Sequence, residues 1–536
     1  MMATIIVAGF TACGESDLLS KEGGTQEGGK VIEGEPTYAT FDFNVNNGPG
    51  TKATSATDAG AATAEKTVKN LRLIIFRTGN STTCEINESY VNPSGADKDK
   101  TMTLLVSSGT KKVFVIANDG ETVASPFDKS KVKPNETTLA QFYQMVEEDL
   151  GTPAGTAAPV TGVNIAKLVD KTNGYLMSNA ANVGCEYILE GGVSAEDSRG
   201  AAAGTPSKNH FKIDINRVVA KAKVYYTDNN TLKTTDGVGE LEDIFYGIRN
   251  INRSVNRVQK FSGDGAAVGA TPWAPYYTLA EGWPAANREV LDNYKPYYFS
   301  GYEMKYAVKA KAVAEASPGE PAIYITENTS QVQRKGNSTY AAIKATFLPL
   351  KGKYVKAGGV TYNPTSEFME VTGGDVDITS GQTLFMLLDG KGKISNNTLF
   401  IDENDARYAA YAVRHAAGLT TPWNGTLASI PADFNPFEKV SGAMTGTPLS
   451  EVKTYTNGEC FYRLNFGKGD MSNNDMVYGV WRNHFYKAEI TQFGGIGEND
   501  IEDLELNPEI PLGERTHVTA TINVVDWQDG GSTVIL

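Results

Sequence analysis

Apolar side chains in this chain recur at every second position over short runs, and glycine-rich turns separate the runs. In YATFDFNV (38–45) they are Ala39, Phe41, Phe43 and Val45. In LRLIIF they are Leu71, Leu73 and Ile75, and in TMTLLV they are Met102, Leu104 and Val106. Gly109 then turns the chain into KKVFVIAND, with Val113, Val115 and Ala117 on one face. Near the other end, THVTATINVV carries Val518, Ala520, Ile522 and Val524. A period of two is the signature of strands with one buried face. The fold predicted is mostly β, with LRLIIF, TMTLLV and KKVFVIAND as neighbouring antiparallel strands of a sandwich. The 55 glycines and 10% aromatic residues suit such a turn-rich architecture.

One helix interrupts the strands. In TTLAQFYQMVEEDL, Thr138 and Gln141 have the spacing of a capping box. Leu139, Phe142, Tyr143, Val146 and Leu150 fall at helical intervals on one face. At 536 residues the chain exceeds what a single core fills, so two or three domains are expected. The long strand HFKIDINRVVAKAKVYYT changes phase near Asn216 and Arg217, from Phe211, Ile213 and Ile215 to Val218, Ala220, Ala222 and Val224. That change predicts a bulge. The boundary is placed just after this strand, dividing residues 53–228 from 229–536.

The chemistry-bearing residues are sparse. The net charge of −14 argues against nucleic acid as a partner. His210, His415, His484 and His517 stand at no metal-ligand spacing, and neither HExxH nor GxSxG occurs. GDGAAVG (263–269) lacks the strand and helix that a phosphate loop requires, and DENDAR (402–407) lacks the calcium-loop ligand pattern. The expectation is therefore no enzyme, no metal and no cofactor. The run from Trp273 to Trp283 could serve as an aromatic platform for sugars, which keeps a surface glycan-binding lipoprotein open as an alternative.

Between the first strand and LRLIIF lies NVNNGPGTKATSATDAG (44–60), a Gly, Ala, Ser and Thr linker of flexible composition. It contains one basic residue, Lys52. Upstream, an apolar run at Ile5–Phe10 is followed by small residues and Cys13, as at the end of a bacterial lipoprotein signal. Removing Cys13 leaves Cys84, Cys185 and Cys460, an odd set with no zinc or disulfide spacing. The last strand signal, GSTVIL, includes Val534, Ile535 and Leu536.

In their order along the chain, Cys13, YATFDFNV, LRLIIF, KKVFVIAND, INRVVAKAKV, YTNGECFYR, VWRNHFYKAEIT and VTATINVVDW resemble the fimbrillin family of Bacteroidales. These are shaft subunits of type V pili, and the likeness is strongest to the minor-fimbrium branch. The resemblance implies two transthyretin-like β-sandwich domains after a signal remnant (1–12) and a pro-segment (13–52) lipidated at Cys13 with palmitate. It implies export to the outer membrane, removal of the first strand by a trypsin-like or gingipain-like protease, and an extracellular fimbrium. Its partners would be other copies in a head-to-tail fibre, accessory pilus subunits and adhesion receptors. In the family the cut follows a basic residue, usually arginine; here the linker offers Lys52, giving a mature start at Ala53, with Lys66 second. The removable strand is Ala39 to Val45. The donated strand is THVTATINVV or GSTVIL, and the sequence leaves that choice open. A tip adhesin or an anchor of the same system is the alternative role.

Overall fold

The computed structural model describes residues 34–45, 65, 67–91, 102–119, 125–150, 165, 168–170, 174–180, 185–200, 207–261, 272–273, 298–299, 304–316, 322–328, 335–350, 354–355, 360–361, 370–371, 378–389, 394–416, 418, 420, 423–438, 440–441, 448–466, 479–505 and 518–526. Cys13, Lys52, Ala53, Lys66, His517, Trp283, Val534, Ile535, Leu536 and the GDGAAVG stretch lie outside the described residues.

The fold is mostly β, as the alternation predicts. Strands β1 (Pro36–Val45), β2 (Asn70–Arg77), β3 (Cys84–Val91), β4 (Thr103–Ser107), β5 (Gly109–Ala117), β6 (Met177–Ser178), β7 (Glu186–Leu189) and β8 (His210–Arg217) form one sheet. Its order is β3-β2-β5-β6-β8-β1-β4, with β7 also paired to β5. Every pairing is antiparallel except that of β1 with β8. β4 differs from expectation, because it sits beside β1 rather than beside β2 or β5. Gly109, at φ +96°, allows the turn that sends β5 to a different neighbour.

The two ends of this sheet meet through one carboxylate. Glu85 on β3 is buried and accepts from Ser107 N (2.6 Å) and Ser107 Oγ (2.9 Å) on β4. Lys111 Nζ lies 2.8 Å from the same side chain, and Arg77 Nε 3.6 Å. A buried carboxylate is tolerated only when paired and bonded in this way.

Helix α1 (Leu139–Met145) starts where the spacing predicts, with Thr138 and Gln141 capping each other. It stops sooner than the apolar spacing suggests. Glu147–Asp149 instead pairs as a strand with Ser254–Asn256, and Arg257 N donates to Val146 O at 2.7 Å. Acidic residues at a helix C-terminus oppose its dipole, so this run gains little from staying helical. Helix α2 (Ala195–Arg199) is capped by Ser194 and by the left-handed Gly200.

The phase change near Arg217 marks a change of sheet rather than a bulge within one strand. β8 pairs with β1 through Ile215 and with β6 at Asn216 and Arg217. After Val218 the chain continues as β9 (Val219–Tyr226) in another sheet.

The later strands are β10 (Gly239–Arg249), β11 (Ile323–Thr326), β12 (Tyr340–Pro349), β13 (Leu384–Asp389), β14 (Ile394–Phe400), β15 (Pro448–Tyr455), β16 (Glu459–Asn465), β17 (His484–Phe493) and β18 (Val518–Asp526). β9 lies between β11 and β17, and β18 pairs with the far side of β17. β10, β12 and β16 form a second, antiparallel layer. Val224, Ala488 and Ile490 of one layer share a core with Leu241, Ile343 and Tyr462 of the other, continuous with the core of the first sheet.

Between the paired strands β12 and β16 the chain makes a long excursion. β13, β14, β15 and helix α3 (Glu403–Ala416) lie there and build a separate core from Phe385, Leu387, Phe400, Ala406, Ala409 and Val452. DENDAR opens this helix, with Asp402 Oδ1 accepting from Asn404 N at 2.7 Å. Among the described residues no cluster of metal-ligating side chains occurs.

Candidate functional site

The first strand is an interior member of its sheet, held differently along its two halves. Ala39, Phe41, Phe43 and Val45 all face the core at no more than 3% exposure. Three large apolar side chains buried so completely contribute roughly 5–9 kcal/mol, and Phe41 also stacks on Phe211 with centroids 5.8 Å apart. Phe41 to Val45 pair with β8. Phe41 N still reaches Met102 O (3.2 Å), but beyond it β8 alone supplies the ladder among the described residues. On the exposed face of this half, Asp42 Oδ2 meets His210 Nε2 at 2.7 Å.

The leading half is held by polar groups on both edges. Pro36 to Thr40 pair with β4. On the other side, Tyr38 N donates to Val193 O (2.9 Å), Gly192 N to Pro36 O (3.2 Å), and Val193 N to Thr37 Oγ1 (3.0 Å). Asn209 ties these pieces together. Its Nδ2 lies 3.0 Å from Thr37 Oγ1, 3.1 Å from Tyr38 O and 2.9 Å from Glu190 O. Its Oδ1 accepts from Glu190 N (2.8 Å), and its backbone carbonyl accepts from Thr40 N (2.9 Å). Asn209 does this at φ +50°, a region asparagine tolerates better than other side chains. Asn209→Ala should therefore lower the stability of the uncut chain by roughly 2–4 kcal/mol, through lost bonds, unsatisfied buried groups and backbone strain. Urea unfolding measures it; Asn209→Gly, free of the strain, should lose less.

The chain re-enters the described structure at Glu65, on the seam between the first sheet and the next. Its buried carboxylate lies 3.2 Å from Lys221 Nζ and accepts from Tyr324 Oη at 2.6 Å. Its carbonyl accepts from Arg217 Nε at 2.8 Å. Thr67 O accepts from Asn118 Nδ2 at 2.7 Å. The residues on both sides of Lys66 are thus tied to the body.

β18 is an edge strand: among the described residues only β17 pairs with it. Val518 is buried, and Ala520 and Ile522 pack partly buried against the core. Trp273 pairs with Lys260 in a two-stranded ribbon. The described histidines are structural: His484 Nδ1 lies 2.7 Å from Arg482 O, and His415 sits against Thr420 and Trp423. Alternation found β1 and β18, but no local pattern pointed to Asn209 or Glu65.

The arrangement is that of a β-sandwich chain carrying an interior strand joined to its body by a long linker, with an edge strand near the other end. Residues 39–217 match the family model described as major fimbrial subunit protein (FimA). Residues 453–531 match the model for the C-terminal part of fimbrillin, the type IV major fimbrial subunit protein. Both matches fall on the fimbrillin family that the strand order resembles. No curated protein matches it. Among solved structures, a candidate cell-adhesion protein from Parabacteroides distasonis is 13% identical over 92% of this chain and 98% of its own, with a TM-score of 0.41. A fimbrilin from Porphyromonas gingivalis is 11% identical over 92% and 99%, at 0.38. The tip fimbrial protein Mfa3 of the same organism, truncated at its C-terminus, is 12% identical over 92% and 100%, at 0.30.

Proposed function

We propose that this chain is a fimbrial shaft subunit that polymerises by strand exchange, with β1 as a temporary plug. The observation that carries the reading is the placement of β1: interior, fully buried on its core face, and followed by a linker with a single basic residue. Loss of an interior strand leaves an apolar groove flanked by two unpaired backbone edges, which is a template for another strand. Filling it from a neighbour is donor-strand complementation. Each subunit then offers a strand at one end and a groove at the other, and such head-to-tail contacts propagate into a fibre.

The precursor is exported, lipidated at Cys13 and held at the outer membrane as two sandwich domains that divide at the change of sheet near Arg217, ahead of the boundary at 228 expected from the sequence. A trypsin-like or gingipain-like protease cuts after Lys52, β1 leaves, and the subunit joins an extracellular fimbrium with accessory subunits and adhesion receptors as further partners. The anchoring of Glu65 and Thr67 favours Lys52 over Lys66, because proteases need an extended stretch they can draw out. The same tie retains the new N-terminal segment after the cut.

Intact-mass measurement of protein from purified surface fibres tests this role. A mature chain beginning at Ala53 is expected. A full-length chain still lipidated at Cys13 would instead assign the anchor of the fibre.

A further inference from the structure

The β1 slot has two polar positions closed to solvent, Thr37 at its leading end and Thr40 between the core-face residues Ala39 and Phe41. Thr40 points away from the core face yet is only 4% exposed. Its hydroxyl lies 2.9 Å from Ser198 Oγ on α2 and 3.0 Å from Thr103 Oγ1 on β4. Ser198 is itself fully buried. Flanking this seat on the core face are Ala39, with no exposed surface, and then Phe41 and Phe43. The slot therefore reads a five-residue pattern: small, threonine, large apolar, any, large apolar. An apolar side chain in the seat would take one hydrogen-bond partner from each of two buried or half-buried hydroxyls, leaving Ser198 Oγ its bond to Ala195 O (3.1 Å), and a one-residue slip would turn the strand's apolar face outward.

With Val, Ile, Leu, Met, Phe, Tyr and Trp counted as large apolar, Ala39–Phe43 has this pattern. It recurs only at Ala3–Val7, Ala520–Val524 and Ser532–Leu536. Ala3–Val7 lies upstream of the proposed lipidation and cleavage points. Ala520–Val524 is engaged within β18 and paired with β17, with Ala520 and Ile522 packed against the core. Ser532–Leu536 follows β18 in the sequence and lies outside the described residues.

We propose that Ser532–Leu536 of a second copy enters the vacated β1 slot in one register, with Thr533 in the seat of Thr40. Ser532 takes the place of Ala39, and Val534 and Leu536 take those of Phe41 and Phe43. The inserted segment runs in the direction of β1, so that Thr533 lies opposite Thr103, as Thr40 does. This register rests on the strand-exchange reading. Val534 and Leu536 are smaller than the phenylalanines they replace and fill the groove less fully. The incoming strand is therefore weaker than β1, which explains why β1 must first be cut free.

Cross-linking of the full-length chain tests the register. Thr103→Cys is combined in turn with Thr533→Cys, Ile535→Cys and Thr521→Cys, polymers are formed after proteolytic cutting, and copper–phenanthroline oxidises them. Residues directly opposite on paired strands are close enough for a disulfide. The native Cys84, Cys185 and Cys460 give little background: all are buried, and burial pushes the thiols of Cys185 and Cys460 up to about 11. The Thr103/Thr533 pair should give a covalent ladder under non-reducing conditions, and the other two pairs should not. If Thr103→Cys itself impairs folding, Thr533→Val in the otherwise native chain should cut polymer yield by about tenfold, while Thr533→Ser preserves it. A ladder from Thr521→Cys or Ile535→Cys, or undiminished polymers from Thr533→Val, overturns the register but not strand exchange. Cut native chain that never polymerises removes the strand-exchange reading, and the register with it.

Discussion

Glu327→Ala should lower the unfolding free energy of the uncut chain by roughly 3–5 kcal/mol, about a fifth or more of the stability of an ordinary domain. Glu327 and Arg482 are almost completely buried, with Arg482 Nε 3.0 Å and Nη2 2.9 Å from Glu327 Oε2. Their surroundings leave neither group free to reach water. Gln259 Nε2 donates to Glu327 Oε1 (3.0 Å), Asn252 Nδ2 to Glu327 O (2.6 Å), and Arg482 Nη2 to Asn256 O (2.7 Å). Truncating the carboxylate leaves the guanidinium buried without its counter-charge, and that desolvation sets the size of the loss. Removing both charges should cost less than removing one, so Glu327→Ala with Arg482→Ala should recover part of the loss. A cycle of urea unfolding curves reads the coupling. Independent, additive losses would show that the two groups do not act as a pair.

Arg482 belongs to RNHFY, one of the pieces that carried the family resemblance, and its role was invisible in the sequence. Period two announces a strand but does not name its neighbour. That is why β1 and β18 were legible as elements, while the position of β4 beside β1 was not. The capping box at Thr138 was equally legible, because both partners lie within four residues. Glu85, Glu327, Asn209 and Glu65 act across large sequence separations, and each finds its partners only after the sheets have formed. A lone charge inside an apolar run, as in INRVV, does signal a buried polar contact. It cannot say that Arg217 will meet Glu65 and Asn483. The excursion between β12 and β16 was hidden for a similar reason, since adjacency in a sheet leaves no mark on residues so far apart. The seat of Thr40 sits between these extremes: its pattern is local, but its meaning depends on Ser198 and Thr103.

Blocking the cut should have the largest effect on assembly. Lys52→Gln leaves β1 covalently tethered to the groove it fills, so any competing strand faces an intramolecular rival. A flexible linker holds such a segment at an effective concentration that reaches roughly millimolar. Subunits meeting at about micromolar concentration therefore start with a disadvantage of about a thousandfold, before the better fit of Phe41 and Phe43 is counted. Polymer yield from Lys52→Gln should fall at least that far, with a folded monomer left in solution. Lys66→Gln should polymerise as the native chain does, because Glu65 and Thr67 hold that stretch against the body. Inserting a thrombin site at Lys52 in the blocked chain should restore polymers on addition of thrombin. That recovery would locate the barrier in the tether rather than in a side effect of the substitution. Fibres of native yield from Lys52→Gln, with chains beginning at Thr67, would instead place the cut at Lys66 and require Glu65 to leave its buried partners before assembly.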